Sequence, residues 1–313
     1  MILVTGGAGF VGSNLIAGLE ARGHRGIAVC DRLGAGARWR NLARRAVGTV
    51  FPPERLNGFL DEAGGAVEAV YHIGLHEGGW DVDRMLEANY HAAAALWAWC
   101  AANGVRFFWA STAETYGDGS AGFDDDIHEA ALARLVPSTA RGWAKHLFDR
   151  AVARTIAAGS PRPPQWAGLK LFDVYGPNEY HKDEPSLPLM LWRGTAPPGL
   201  DPGTRRDLVW IGDCLAVMLW LLDNEEVSGL FNVGTGQSRR IDEIAAAVGA
   251  AACREVELPA GATPETPCAR YRHSTEARMR RLRSAGYDGA FLTIEDGIAH
   301  YVGEFLSRGE AHL

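Results

Sequence analysis

Thr5-Gly6-Gly7-Ala8-Gly9-Phe10-Val11-Gly12 follows an apolar run at 2–4 and opens into Val11, Leu15, Ile16 and Leu19, which recur at spacings of three and four. A buried strand, a glycine turn and an amphipathic helix are written in that one stretch. Glycines at 6, 9 and 12 permit a tight turn, a close backbone approach and close helix–sheet packing. The helix start adds unpaired amides and the positive end of its dipole, a combination that suits a pyrophosphate. Asp31, 19 residues past Gly12, ends the second apolar run, where a carboxylate would hold a ribose diol. The stretch therefore predicts a dinucleotide site contacted by Gly6, Gly9, Phe10, Val11, Gly12 and Asp31. A glycine turn without a ligand is the plainer reading of the spacing, and Asp31 weighs against it.

Outward from the turn, runs at 27–30, 67–72, 105–110 and 168–172 read as further buried strands. Helical patterns lie between them, the longest at 81–102, with Met85, Leu86, Tyr90, Ala93, Leu96, Trp97 and Cys100 on one face and Gly104 as its stop. Such alternation predicts parallel strands with right-handed crossovers, an α/β, doubly wound Rossmann sheet. After Phe172 the rhythm breaks in a proline-rich stretch (Pro177, Pro185, Pro188, Pro197, Pro198, Pro202), and periodicity returns at 212–224, 230–233 and 241–251. The expected organisation is a dinucleotide-binding domain at 1–175, joined again by about 207–238, with a smaller C-terminal substrate-binding lobe from 176–206 and 239–313.

Composition narrows the function. In 313 residues, 47% are hydrophobic and 22% charged, as in a folded globular chain rather than a disordered one. A net charge of −7 argues against a nucleic-acid partner. Five scattered cysteines without C-x-x-C spacing suggest neither a disulfide framework nor a zinc site, and fit a reducing compartment. No apolar run reaches the ~18 residues of a membrane span. The chain opens on an apolar strand without the basic flank of a signal peptide, so a cytoplasmic location is expected, with no metal and no membrane partner.

Two further blocks, Trp109-Ala110-Ser111-Thr112-Ala113-Glu114-Thr115-Tyr116-Gly117 and Leu171-Phe172-Asp173-Val174-Tyr175-Gly176-Pro177, resemble the extended short-chain dehydrogenase/reductases that remodel nucleotide sugars. Glu179-Tyr180-His181-Lys182, Arg206-Asp207-Leu208-Val209-Trp210-Ile211-Gly212-Asp213, Leu230-Phe231-Asn232-Val233-Gly234-Thr235-Gly236, Tyr271 and Leu282-Arg283-Ser284-Ala285-Gly286-Tyr287-Asp288 are similar to the ADP-heptose 6-epimerase branch of that family. The resemblance spans nearly the whole chain. It implies a bound NAD or NADP that transiently oxidises a sugar hydroxyl and returns the hydride, a nucleotide-diphosphate sugar as partner, and a homo-oligomer. It adds His72, Asn89 and Lys145 to the cofactor contacts. Asp31 favours NAD, whereas Arg32 and Arg38, if not simply solvated, would accommodate the 2′-phosphate of NADP.

The family sets a Ser or Thr at the end of the fifth strand and a Tyr-x-x-x-Lys pair on the next helix. That spacing puts both side chains on one helix face, and the ammonium lowers the phenol's pKa. Thr112 and Lys145 match, but Arg141 stands at the tyrosine position, and no tyrosine lies between Tyr116 and Tyr175. Arginine stays protonated in proteins and cannot accept the proton. Another group does so, or the redox step is impaired, or the chain only binds. Lys145 keeps a role in holding the nicotinamide ribose. Glu114 matches the Thr-x-Glu of related dehydratases and decarboxylases, where it removes a proton beside a transient ketone; otherwise it is a strand-end carboxylate paired with a local arginine. Lys182 matches a lysine that faces the sugar from the opposite lobe, or is solvated.

For the substrate, Arg206 matches the arginine that holds the diphosphate. Asp173 replaces an asparagine and would repel a pyrophosphate unless paired, and Tyr271 belongs to the same set. Trp192 and Trp210 either stack on a base or pack. Three readings result: an epimerase of an NDP-heptose or longer-chain sugar, a dehydratase using Glu114 as base, and an inactive sugar-nucleotide-binding protein.

Overall fold

Seven parallel strands form the central sheet of the computed structural model, which describes residues 1–74, 81–259, 273–309 and 312–313. They are β1 (Ile2–Thr5), β2 (Ile27–Cys30), β3 (Thr49–Phe51), β4 (Ala69–His72), β5 (Arg106–Thr112), β6 (Trp166–Leu171) and β7 (Gly229–Val233), in the order β7-β6-β5-β4-β1-β2-β3. The strands are short and mostly apolar because both faces of the sheet are covered. Alternate residues feed two cores. Ile2, Val4, Ile27, Val29, Phe108 and Ala110 pack with Leu15, Ile16 and Leu19 of the helix Phe10–Ala21 and Met218 of the helix Ile211–Asp223. Leu3, Ala28, Cys30, Phe107 and Trp109 pack on the other face with Leu96 and Trp97 of the helix Ala92–Asn103 and Phe148 of the helix Ala140–Ala157.

The first core runs on into the C-terminal elements, through Ile241, Ile244 and Val248 of the helix Ile241–Ala252 and Ile294, Ile298 and Tyr301 of the helix Ile294–Tyr301. Two short ladders stitch these elements to the sheet. Asp173–Tyr175 pairs in parallel with Leu208–Trp210, and Arg205–Arg206 pairs antiparallel with Arg239–Arg240.

The doubly wound sheet read from the sequence is the fold, with strand bounds displaced by one or two residues. Two differences have physical causes. The helix expected at 81–102 is interrupted: Val82–Leu86 and Ala92–Asn103 flank a π turn at Glu87–His91, before Gly104 closes the run at φ +67°. The turn buries Asn89, and a π turn inside a helix often marks a functional position. The edge strand β3 left no apolar signature, because Thr49 and Val50 are exposed and only Phe51 is buried.

Strand order positions the site. The chain winds from β1 outward through β2 and β3, then crosses back to β4 on β1's other side. Their carboxyl ends therefore open a crevice at the switch point, where open α/β sheets bind ligands. Beside it, Lys170 of β6 and Asp149 of the helix Ala140–Ala157 form a fully buried ion pair at 3.1 Å. Asp149 also accepts from Trp109 Nε1 (3.0 Å) and Ser111 Oγ (2.7 Å), and Lys170 donates to Thr115 Oγ1 (2.6 Å). Lys170→Met strands the Asp149 charge and is expected to cost about 3–5 kcal/mol in urea unfolding. Adding Asp149→Asn should return part of that loss; a single variant as stable as the parent would show the pair to be dispensable.

Candidate active site

The glycine turn leaves β1 through Gly6 at φ +70°, and the Gly9 amide donates to the Gly6 carbonyl at 3.1 Å. Gly9 caps the helix Phe10–Ala21 with no side-chain bond, so the first-turn amides keep their anion-binding character. A Cβ on Gly12 would collide with the Gly6 carbonyl oxygen. Asp31 fixes the far side of the turn, accepting from the Ala8 amide at 2.8 Å and the Arg32 amide at 2.7 Å. Asn41, which sequence reading missed, braces the turn from outside by donating to the carbonyls of Ala8 (2.9 Å) and Asn178 (3.0 Å). A lone asparagine in a short helix carries no signal for that.

These residues fit a dinucleotide. The cradle admits only glycine at position 12, and two buried polar atoms nearby, His72 Nε2 and Asn89 Oδ1, have no protein partner among the described residues. His72 meets Thr5 Oγ1 through Nδ1 at 2.8 Å. Burial, then the Lys145 charge, pushes its pKa down to about 3, so the ring is neutral at ordinary pH. Arg32 pairs with Glu54, and Arg38 lies 3.4 Å from Asp31. Both arginines weighed for a 2′-phosphate already meet carboxylates.

One cleft of about 1580 Å³ runs from this cradle across the carboxyl edge of the sheet. Every expected site residue among the described ones lines it except Asn89, which sits behind it in the π turn. Tyr271 lies outside the described residues. No tyrosine is among the described lining. Tyr116 is buried, with its hydroxyl donated to Asn232 Oδ1 at 2.7 Å, and does not line the cleft.

At the reacting end, Glu114 and Arg141 form a two-point ion pair: Arg141 Nε donates to Oε2 at 3.0 Å and Nη2 donates to Oε1. Thr139 Oγ1 adds a third bond to Oε2 at 2.7 Å. Thr139 also caps the helix Ala140–Ala157, accepting from the Gly142 amide at 2.9 Å, and a Ser-Thr pair ahead of a helix is a cap signal that could have found it. The arginine-paired reading of Glu114 is thus the geometry observed. The Glu114 amide donates to Thr112 Oγ1 at 3.3 Å, leaving the threonine its own proton to give.

Lys145, one turn beyond Arg141, is 4% exposed. Burial pushes its ammonium down to about 8, with Arg141 adding to the shift and Asp149 opposing it. Across the cleft, Lys182 Nζ stands 5.1 Å over the Phe10 ring. Arg206 Nε donates to Asp173 Oδ2 at 2.7 Å, and Nη1 donates to the His273 carbonyl at 2.6 Å. The carboxylate expected to repel a pyrophosphate is therefore neutralised by the arginine expected to hold one. Trp210 packs against Tyr175 and Tyr301, and neither it nor Trp192 lines the cleft.

Over residues 2–234 the sequence matches the NAD dependent epimerase/dehydratase family. The chain belongs to that family. It is 38% identical to the ADP-L-glycero-D-manno-heptose-6-epimerase of Nitratidesulfovibrio vulgaris (strain Hildenborough), with 100% of each chain covered. Among solved structures, the Thermus thermophilus UDP-glucose 4-epimerase complex with NAD superposes with a TM-score of 0.76 at 25% identity, covering 97% of this chain and 98% of that one. The Helicobacter pylori ADP-L-glycero-D-manno-heptose-6-epimerase does so at 0.77 and 22%, covering 97% and 95%. The cofactor of the family is NAD, in agreement with Asp31 and the paired arginines. Among the described residues no helix is long and apolar enough to cross a membrane.

Gly12→Val should weaken NAD at least about tenfold, or ~1.4 kcal/mol, in calorimetric titration. Undiminished binding would place the pyrophosphate elsewhere.

Proposed function

We propose that this chain is an NAD-dependent nucleotide-sugar epimerase acting on an NDP-heptose or similar longer-chain sugar. What carries the reading is that one cleft joins the dinucleotide cradle at Gly6, Gly9, Gly12 and Asp31 to Thr112, Lys145, Lys182 and Arg206. Its similarity along the full chain to a heptose epimerase supports the sugar class. A cytoplasmic homo-oligomer belongs to the same reading.

When bound, NAD supplies a hydride acceptor that also gives the hydride back. The chain's own groups do the rest. The first-turn amides of the helix Phe10–Ala21 hold the pyrophosphate, and the Asp31 carboxylate accepts from ribose hydroxyls. His72 and Asn89 close the cofactor's inner side with their unpartnered atoms. Thr112 donates its hydroxyl proton to the sugar oxygen, fixing the alcohol and then the carbonyl in place. Arg206, with Asp173 sharing its charge, orients the sugar's diphosphate, and Lys182 faces the sugar from the lobe formed by 176–206 and 239–313. Glu114, held by Arg141 and Thr139, shapes the wall between Thr112 and the helix Ala140–Ala157.

Incubation with NAD and an ADP-heptose, followed by mass spectrometry and chromatography, should give a product of unchanged mass and altered retention. A product lighter by one water would instead support the dehydratase, and binding without any product would support the inactive protein. Thr112→Val should lower kcat about 10²-fold while NAD binding is kept. Unaltered kcat would remove the threonine from the reaction.

A further inference from the structure

Arg141 leaves this cleft without the phenol that its helix position would otherwise present, so the proton of the sugar hydroxyl needs another acceptor. Among the described residues at the reacting end, the Glu114 carboxylate is held by Arg141 and that of Asp173 by Arg206. The Asp31 carboxylate is engaged by the Ala8 and Arg32 amides at the ribose end. His72 is kept neutral with almost no basicity. Lys145 differs from all of these. It is buried in the cleft wall, four residues from Arg141 and so on the same helix face, and its Nζ has no hydrogen bond or ion pair to a described residue.

We infer that Lys145 is itself the catalytic acid–base group of the redox step, and that Arg141 is the positioning residue whose fixed charge faces it. The inference rests on the proposed epimerase reading and names the group that serves it. The sugar O–H bond breaks with its proton passing to the Nζ lone pair. Its electron pair becomes the carbonyl π bond, and the hydride lost by the carbon would go to the nicotinamide dinucleotide when the cradle holds one. On reduction the same proton returns from Nζ to the oxygen.

The surroundings loosen the proton on Lys145. Burial and the guanidinium of Arg141 disfavour the ammonium, and Asp149 one turn further on opposes them but is itself committed to Lys170, Ser111 and Trp109. From the other elements packed here, β4 contributes neutral His72, the turn after β5 contributes Glu114 bound to Arg141, and β6 contributes Lys170 paired to Asp149. The helix with the π turn brings Glu87 and His91 to the cleft, with Arg84 paired to Asp81 at its start. An arginine at position 141 thus lowers the proton affinity of the lysine beside it, much as a lysine lowers that of a phenol.

The test is the titration of Lys145 in the intact protein, read without turnover. Acylation of the Lys145 peptide by an amine reagent, quantified by mass spectrometry across pH, should show a midpoint near 8. In Arg141→Met, that midpoint should rise, because a like charge is removed and Glu114 loses its arginine. A wild-type midpoint near the ordinary lysine value of about 10.4, or one that Arg141→Met leaves in place, overturns the inference. With turnover measured, Lys145→Arg should retain NAD but lose about 10²–10⁴-fold in kcat, because a guanidinium keeps the charge and cannot take the proton. The wild-type kcat/KM should rise with pH through the same midpoint. Full activity in Lys145→Arg overturns the inference while leaving the epimerase reading intact. Absence of any NAD-dependent product from the wild type counts against that reading, and the titration still decides the state of Lys145.

Discussion

Two backbone segments must pass almost in contact where the sheet reverses its winding, and most of the site follows from that. Gly6 leaves β1 against Gly74, which follows β4: a Cβ on Gly6 would strike the Gly74 backbone. The Ile73 amide donates to the Thr5 carbonyl at 3.1 Å, tying the two strand ends together. Only because the backbones run so close can the helix Phe10–Ala21 start directly over the crevice, with its free amides facing it. His72 at the end of β4 and Thr112 at the end of β5 then fall along the same edge, and the cleft inherits their order.

Charge is distributed along that edge under one rule. Among the described residues, the Glu114 and Asp173 carboxylates are each paired with an arginine, and the deepest ion pair, Lys170 with Asp149, is saturated by Trp109, Ser111 and Thr115. Pairing of this kind removes net charge from a place that must receive a polyanionic ligand. It also leaves a single ammonium, that of Lys145, buried without a carboxylate in contact among the described residues. Arg141 and Glu114 meet there as a two-point pair, so the two side chains are better understood as one unit than as two.

Much of this was legible in the sequence because the features are local. The glycine turn, Asp31 and the alternation of buried strands specify the sheet through spacing alone, and the block around Thr112 and the Lys145 helix fixes which residues share the cleft. What stayed hidden depends on neighbours distant in the chain. The partners Asp173 and Arg206 are brought together by the Asp173–Tyr175 and Leu208–Trp210 ladder, and no periodicity encodes a bond across 33 residues. Asn41 acts only through carbonyls at 8 and 178. The edge strand β3 is too exposed to leave an apolar run.

The apolar cluster shared by sheet and C-terminal elements has a consequence for how the protein comes apart. Leu15 and Met218 belong to the same continuous interior as Ile298 and Tyr301. Peeling the helix Ile294–Tyr301 away would open water onto Trp210, Ile241 and Ile244, which share that interior with the sheet. The shared interior couples the two portions on heating, and a fragment ending after β7 would leave Trp210 without the Tyr301 ring packed on it.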